Sequence, residues 1–239
     1  MKSFELMRRD SGRWLALVMV VVASLLISGC GKEAVDRSES PEETLQRAQF
    51  VMPAEADRER LLNRYAEAIR GLNFDYGKVG SVLEALGFVE LKKRFPAPRY
   101  EVVARVQYFN QSGRTLGEID LAVVDVAAGS VLVVYQAKLS GNPRMAGVRA
   151  DEQNARFMNA LAAGEISRLK GREGDYPLET GFFSDQTLYL KMGGRESESF
   201  GWDVVIDLQR AEGDQLQAMV RGGEAIPSTR SRDWREDRE

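Results

Sequence analysis

Two short stretches combine acid, amide and amine side chains at spacings that chemistry can use: Gly117-Glu118-Ile119-Asp120-Leu121 and Val133-Val134-Tyr135-Gln136-Ala137-Lys138. Both lie in runs rich in Val and Leu that read as strands, over 118–126 and 130–138. Ala127-Ala128-Gly129 between them fits a three-residue hairpin loop, with Gly where a positive φ is needed. A hairpin centred on Ala128 sets Asp120 opposite Gln136 and Glu118 opposite Lys138. Residues two apart on a strand share a face, and directly opposed pairs have Cβ atoms about 4.5–5.5 Å apart. The expectation is one polar patch of Glu118, Asp120, Gln136 and Lys138, with Ile119, Leu121, Val133 and Tyr135 pointing the other way. Ala122, Val124, Leu132 and Val134 flank the patch on its own face, so it sits at the end of a largely buried hairpin.

A patch of this kind suits a divalent cation. Asp120 binds it directly, the carbonyls of Gln136 and Ala137 add ligands, and Lys138 lies beside the nucleophilic water and a scissile phosphate. The cation lowers the pKa of the water and stabilises charge on phosphorus, and Lys138 adds electrostatic stabilisation where that charge develops. The same residues also fit a plainer arrangement, in which Glu118 and Lys138 form a cross-strand ion pair worth a few tenths of a kcal/mol. Asp120 is then a hairpin-edge residue facing water.

Composition narrows the chemistry. The chain has no histidine and a single cysteine, Cys30. This excludes Ser-His-Asp and Cys-His catalysis, His- or Cys-ligated zinc, and any disulfide within the chain. What remains is carboxylate, Lys, Ser or Tyr chemistry and a hard, oxygen-loving cation such as Mg²⁺, Mn²⁺ or Ca²⁺. The net charge of −3 lacks the global basic footprint of a nucleic-acid binder, although a local basic groove is compatible with it. Lys92, Lys93, Arg94 and Arg99 could line such a groove or form a solvated strand edge. Arg144, Arg149 and Arg156 carry the same two readings.

The pattern G-E-I-D-L, a short hairpin, then apolar-apolar-x-Q-x-K resembles the PD-(D/E)xK, or restriction-endonuclease-like, phosphodiesterases. Their core is a strand pair carrying an Asp and an (Asp/Glu/Gln)-x-Lys, flanked by helices. The resemblance covers about residues 60–165 and implies an active site of Asp120, Gln136 and Lys138, with Glu118 beside them. It implies Asp120 and Gln136 as ligands of Mg²⁺ or Mn²⁺, and DNA or RNA as substrate. Gln153, on the helix after Lys138, fits the family's order. Gln136 stands where an acid is commoner. Family members often add a Glu from the first helix, for which this chain offers Glu67 or Glu84.

The chain opens with Lys2, Arg8, Arg9 and Arg13 ahead of an apolar run from Trp14 to Ile27. As a helix this run rises roughly 21 Å, short of the roughly 30 Å hydrocarbon core, so it reads as a signal-peptide h-region. Leu26-Ile27-Ser28-Gly29-Cys30 is similar to the lipobox of bacterial lipoproteins. That implies cleavage before Cys30, lipidation of Cys30 and attachment to a membrane. Gly31 after the cysteine implies sorting to the outer membrane, facing the periplasm, in a cell that has one.

The elements that must position the patch follow from periodicity. Residues 1–29 are expected to be the signal peptide and 30–52 a lipid anchor and tether, since Lys32 to Glu43 has almost no apolar content. Residues 53–227 form one domain, and 228–239 a charged tail. Helices are expected over 54–69 and 78–86, the second stopped by Gly87, and over 145–163. Further strands are expected over 88–95, 100–109, 187–191 and 202–208, with a mobile loop at 193–198 and Trp202 in the core. This order predicts an α/β or α+β fold, a mixed β-sheet with flanking helices and, from the resemblance, a restriction-endonuclease-like core. Two function classes remain open. One is a membrane-anchored, metal-dependent nuclease or phosphodiesterase. The other is a non-enzymatic cell-envelope lipoprotein that binds a protein or other partner and for which the polar patch is only structural.

Overall fold

In a computed structural model of the chain, the described residues are 40–222 apart from residue 175. The leader, Cys30 and the charged tail at 228–239 lie outside the described residues. The fold is α/β: a seven-stranded mixed sheet with helices on both faces. The chain runs α1 (Pro41–Ala48), β1 (Phe50–Val51), α2 (Arg58–Ile69), α3 (Gly80–Arg94), β2 (Tyr100–Phe109), β3 (Thr115–Asp125) and β4 (Ser130–Lys138). It continues through α4 (Pro143–Ala162), β5 (Arg168–Lys170), β6 (Leu188–Gly193), a 3₁₀ turn (Arg195–Phe200), β7 (Val204–Val205) and α5 (Arg210–Gly222).

Strand order across the sheet is β1-β7-β6-β4-β3-β2-β5. Strands β2, β3 and β4 form an antiparallel meander, and β5 adds to its outer edge. The connection through α4 returns the chain beside β4 as the parallel strand β6, and β7 and β1 extend the parallel half. Strand β4 is therefore where antiparallel pairing gives way to parallel. One sheet face is covered by α2, α3 and α5, through Leu61, Ile69, Leu83, Leu91 and Leu216 packed on Val102, Leu121, Tyr135 and Met192. The other is covered by α4, with Phe157 against Val106, Tyr108, Ile119 and Val134.

Helix α3 departs most from expectation. It does not stop at Gly87, and the strand expected over 88–95 is its second half. Phe88, Leu91 and Phe95 repeat at helical spacing, and all three are buried. Gly87 is there for proximity: a Cβ would collide with Met192 Sδ and lie 2.9 Å from Leu121 Cδ1. Gly87→Val is therefore expected to lift α3 from the sheet and cost about 1–3 kcal/mol, read as a lower urea midpoint. An unchanged midpoint would mean that the helix has room to move at this contact.

Other differences have local causes. Residues 41–51, read as tether, fold as α1 and β1. Ser40 and Glu43 make a reciprocal capping box, and Ala48 and Phe50 are buried. The segment 193–198, expected to be mobile, is packed into the 3₁₀ turn, with Ser197 buried. The late strand over 202–208 shortens to β7, and α5 has no counterpart in the sequence reading because few of its residues are apolar. Trp202 lies in the core beside Ala146 and Val205, as expected. Gly129 has the expected positive φ, 60°, but the loop spans four residues rather than three, because Asp125–Ser130 is the closing pair and a bulge between Val123 and Val124 restores the expected register beyond it.

Candidate functional site

The site forms where two ladders fail at one place. Between β2 and β3, Ala104 pairs with Leu121 and Val106 with Ile119, while Arg105 and Asp120 do not pair. Arg105 has φ 55°, in the left-handed region that a non-glycine residue rarely adopts. The pleat changes sides there. Val102 and Ala104 face α3 but Val106 and Tyr108 face α4, and Leu121 faces α3 but Ile119 faces α4. The expectation that Ile119 and Leu121 share a face is thereby corrected, whereas Leu121, Val133 and Tyr135 do share one.

Between β3 and β4 the expected register holds over Leu121–Tyr135, Ala122–Val134 and Val123–Val133. The ladder ends at Leu121–Tyr135, so Asp120 is not in ladder with Gln136, nor Glu118 with Lys138. A side chain does the ladder's work instead. Asp120 Oδ2 accepts the Ala137 N–H at 2.7 Å and Lys138 Nζ at 2.8 Å, and Lys138 Nζ also donates to the Ala137 carbonyl at 3.0 Å. Asp120 is buried and Lys138 half-buried.

Glu84 enters this cluster from α3. Burial, and then the negative charge of Asp120, pushes its carboxyl up to about 8. Lys138 and Arg105 act in the opposite direction, and Glu118 reinforces the rise. Glu84 is thus the helix acid that faces the strand pair. Glu67 is exposed on the outer face of α2, in a shallow depression shared with Arg60, Asn63 and Arg64. Glu84 looked badly placed in the sequence only because α3 was expected to end at Gly87.

Gln136 is placed differently from the other expected site residues. It is 0 % exposed, and among the described residues neither of its side-chain polar atoms has a hydrogen-bond partner. It pairs in register with Lys191, whose ammonium reaches Asp151 on α4, so Gln136 lies beneath α4. Gln153 and Asn154 on that helix likewise have a buried, unpartnered carbonyl oxygen. The basic residues near 92–99 are engaged locally. Lys93 pairs with Glu90 and Arg99 with Asp125, while Arg94 stacks over Phe50. Arg144, Arg149 and Arg156 lie on the exposed face of α4.

The chain matches no family model, no curated protein and no solved structure.

Among the described residues, no group of three or more Asp and Glu is placed to hold a metal ion. A cation is nevertheless already seated: the Lys138 ammonium sits between Asp120 Oδ2 and the Ala137 carbonyl. Those two oxygens fit a hard cation, and the Gln136 amide does not join them. Mg²⁺ commonly makes do with one or two carboxylates, completing its shell with water and substrate phosphate.

The raised Glu84 pKa has a consequence for stability. Its ordinary value is 4.5, so between about 4.5 and about 8 the folded chain holds a proton that the unfolded chain has released. This residue's contribution to stability therefore falls as pH rises through that window. Glu84→Gln removes the dependence and is expected to be more stable than wild type above pH 8, by on the order of 1–3 kcal/mol. Urea unfolding at several pH values between 5 and 9 checks this, and parallel curves for the two proteins would contradict it.

Proposed function

We propose that this chain is a membrane-anchored, metal-dependent phosphodiesterase of nuclease type, on a core related to the PD-(D/E)xK enzymes. The observation that carries the reading is the Lys138 ammonium held between Asp120 Oδ2 and the Ala137 carbonyl, with the Glu84 carboxyl facing them. The order α3-β2-β3-β4-α4-β6, with β6 returning parallel to β4, supports the same relation.

Asp120 and the Ala137 carbonyl are the groups that would hold Mg²⁺ or Mn²⁺. Such a cation supplies a more acidic water and neutralises charge on the phosphoryl group. Lys138, released from Asp120, places its ammonium on a non-bridging phosphate oxygen and stabilises the charge that develops there. Glu84 in its deprotonated form, which becomes populated as the pH approaches about 8, accepts the proton of the attacking water at its carboxylate. Glu118 adds negative charge beside this group.

The anchor is the lipid on Cys30, which holds the domain in the cell envelope, at the outer membrane facing the periplasm in a Gram-negative cell. The substrate is then DNA or RNA outside the cytoplasm. The test is cleavage of labelled DNA and RNA by the full chain in detergent, with Mg²⁺ or Mn²⁺, beside Asp120→Ala and Lys138→Ala. Wild type cleaving no better than the variants would end the enzymatic reading. Acyl-chain labelling that survives Cys30→Ala would end the anchored one.

One observation favours the second reading, a non-enzymatic lipoprotein that binds an envelope protein. The outer face of α4 exposes Met145, Val148 and Met158 among Arg144, Arg149 and Arg156. Apolar side chains ringed by arginine suit a protein partner.

A further inference from the structure

Arg105 occupies a position that backbone energetics disfavour. It lies inside β2, where the pleat changes sides, at φ 55°. The left-handed conformation costs a residue bearing a Cβ strain that Gly avoids and that Asn tolerates better. Its place is opposite Asp120 in the β2–β3 register, between the pairs Ala104–Leu121 and Val106–Ile119.

The guanidinium is also uncommitted. Arg105 is half-buried, and its side chain makes no hydrogen bond or ion pair with a described residue. Yet two acids stand close by: Asp120, across from it in the register, and Glu84. Asp120 gives its Oδ2 to Lys138 and the Ala137 N–H instead. The Arg105 charge is near enough to Glu84 to act against the rise in its pKa. Strained backbone of this kind concentrates where a side chain must be aimed. A guanidinium left without a carboxylate is suited to a planar, two-pronged grip on phosphate.

Building on the phosphodiesterase reading, we propose that Arg105 is a substrate-binding residue: its guanidinium grips a phosphate group of the nucleic-acid backbone next to the Asp120–Lys138 pair. The left-handed backbone sets Arg105 across from Asp120, and its charge reaches Glu84, the helix acid that faces the Asp120–Lys138 pair. Lys138 serves the phosphate under attack, and Arg105 serves a phosphate that is held but not broken. Its loss therefore weakens binding more than turnover.

The experiment uses the full chain in detergent, with Arg105→Gly and Arg105→Lys. Gly relieves the backbone strain and removes the guanidinium, whereas Lys keeps the charge without the fork. Melting temperature is followed at pH 6.5 in chelator while inorganic phosphate is titrated against chloride at equal ionic strength. Wild type is expected to rise with phosphate, Arg105→Lys to rise less and Arg105→Gly not at all, although the glycine variant melts no lower than wild type without phosphate. In cleavage assays Arg105→Gly is expected to raise KM about tenfold, with kcat changed much less. A wild type that responds to phosphate no more than to chloride overturns the proposal. So does an unchanged KM in Arg105→Gly, or a glycine variant that melts lower yet keeps the phosphate response. If the chain cleaves nothing but phosphate stabilises it through Arg105, the phosphodiesterase reading fails and the anion site stands.

Discussion

Asp120→Asn is expected to lower metal-dependent cleavage by about 10²–10³-fold while leaving the chain folded. The two effects separate because Asp120 has two jobs. As a ladder substitute it accepts the Ala137 N–H, and an Asn carbonyl oxygen of nearly the same shape can do so. As a charge it faces Lys138 and, in the proposed chemistry, the cation, and an amide does neither. The Lys138 ammonium is half-buried and can turn toward water, so losing its partner costs only about 1 kcal/mol. Asp120→Ala also leaves the Ala137 N–H unpaired in a buried place, which adds about 1–3 kcal/mol. Cleavage of a labelled oligonucleotide in Mn²⁺ and urea unfolding of both variants measure the two jobs. Cleavage by Asp120→Asn within threefold of wild type would remove Asp120 from the mechanism.

The largest loss of stability is expected at Asp207, away from the site. Its carboxylate is 2 % exposed and accepts from the Glu55 N–H at 2.8 Å, Arg58 Nη1 at 2.8 Å and Arg195 Nη2. Arg58 also forks onto Glu212, at 2.7 Å and 2.5 Å. This network joins the start of α2, the turn after β6 and the start of α5. Burial alone would push the Asp207 carboxyl up, but the hydrogen bonds from Glu55, Arg195 and Arg58 outweigh it and hold the group below its ordinary value of 3.8.

Asp207→Ala strands two guanidinium groups around a buried gap and is expected to cost about 3–5 kcal/mol. The pH dependence has the opposite sign to that of Glu84. The Asp207 contribution is full above its unfolded value and is lost as pH falls through the lower folded value. In acid titrations followed by circular dichroism, the variant should lose stability less steeply than wild type below pH 4. Equal acid slopes would mean that Asp207 is not the group being titrated.

The strands that build the hairpin were legible in the sequence. The bounds of β2 and β4 match the alternation of Val and Tyr with polar residues, and the expected register holds from Val123–Val133 to Leu121–Tyr135. Asp120 and Lys138 meet as expected. What was not legible depends on contacts remote in sequence. Gly87 looks like a helix stop until Met192 and Leu121 are seen to press on it. That misreading ended α3 early and hid Glu84. The change of face at Arg105 has no compositional mark, since a left-handed residue is normally announced by Gly or Asn. Gln136 lies under α4 with Val134 because the alternation of β4 runs on unbroken, whereas β3 changes faces between Leu121 and Ile119 and separates Asp120 from it.

The small α1–β1 unit has a mechanical consequence. It is stitched to the sheet edge by the Phe50 N–H to Asp203 O and Met52 N–H to Val205 O bonds, by the Tyr135 hydroxyl on Ala48 O, and by Arg94 over the Phe50 ring. A pull delivered at Pro41 loads these contacts, and the Arg47 stack on Phe95 and Tyr100, before it reaches the β2–β3 and β3–β4 ladders. Unpeeling residues 41–51 pays out roughly 35–40 Å of extended chain. Under tension the domain gains reach before the β3–β4 ladder has to open.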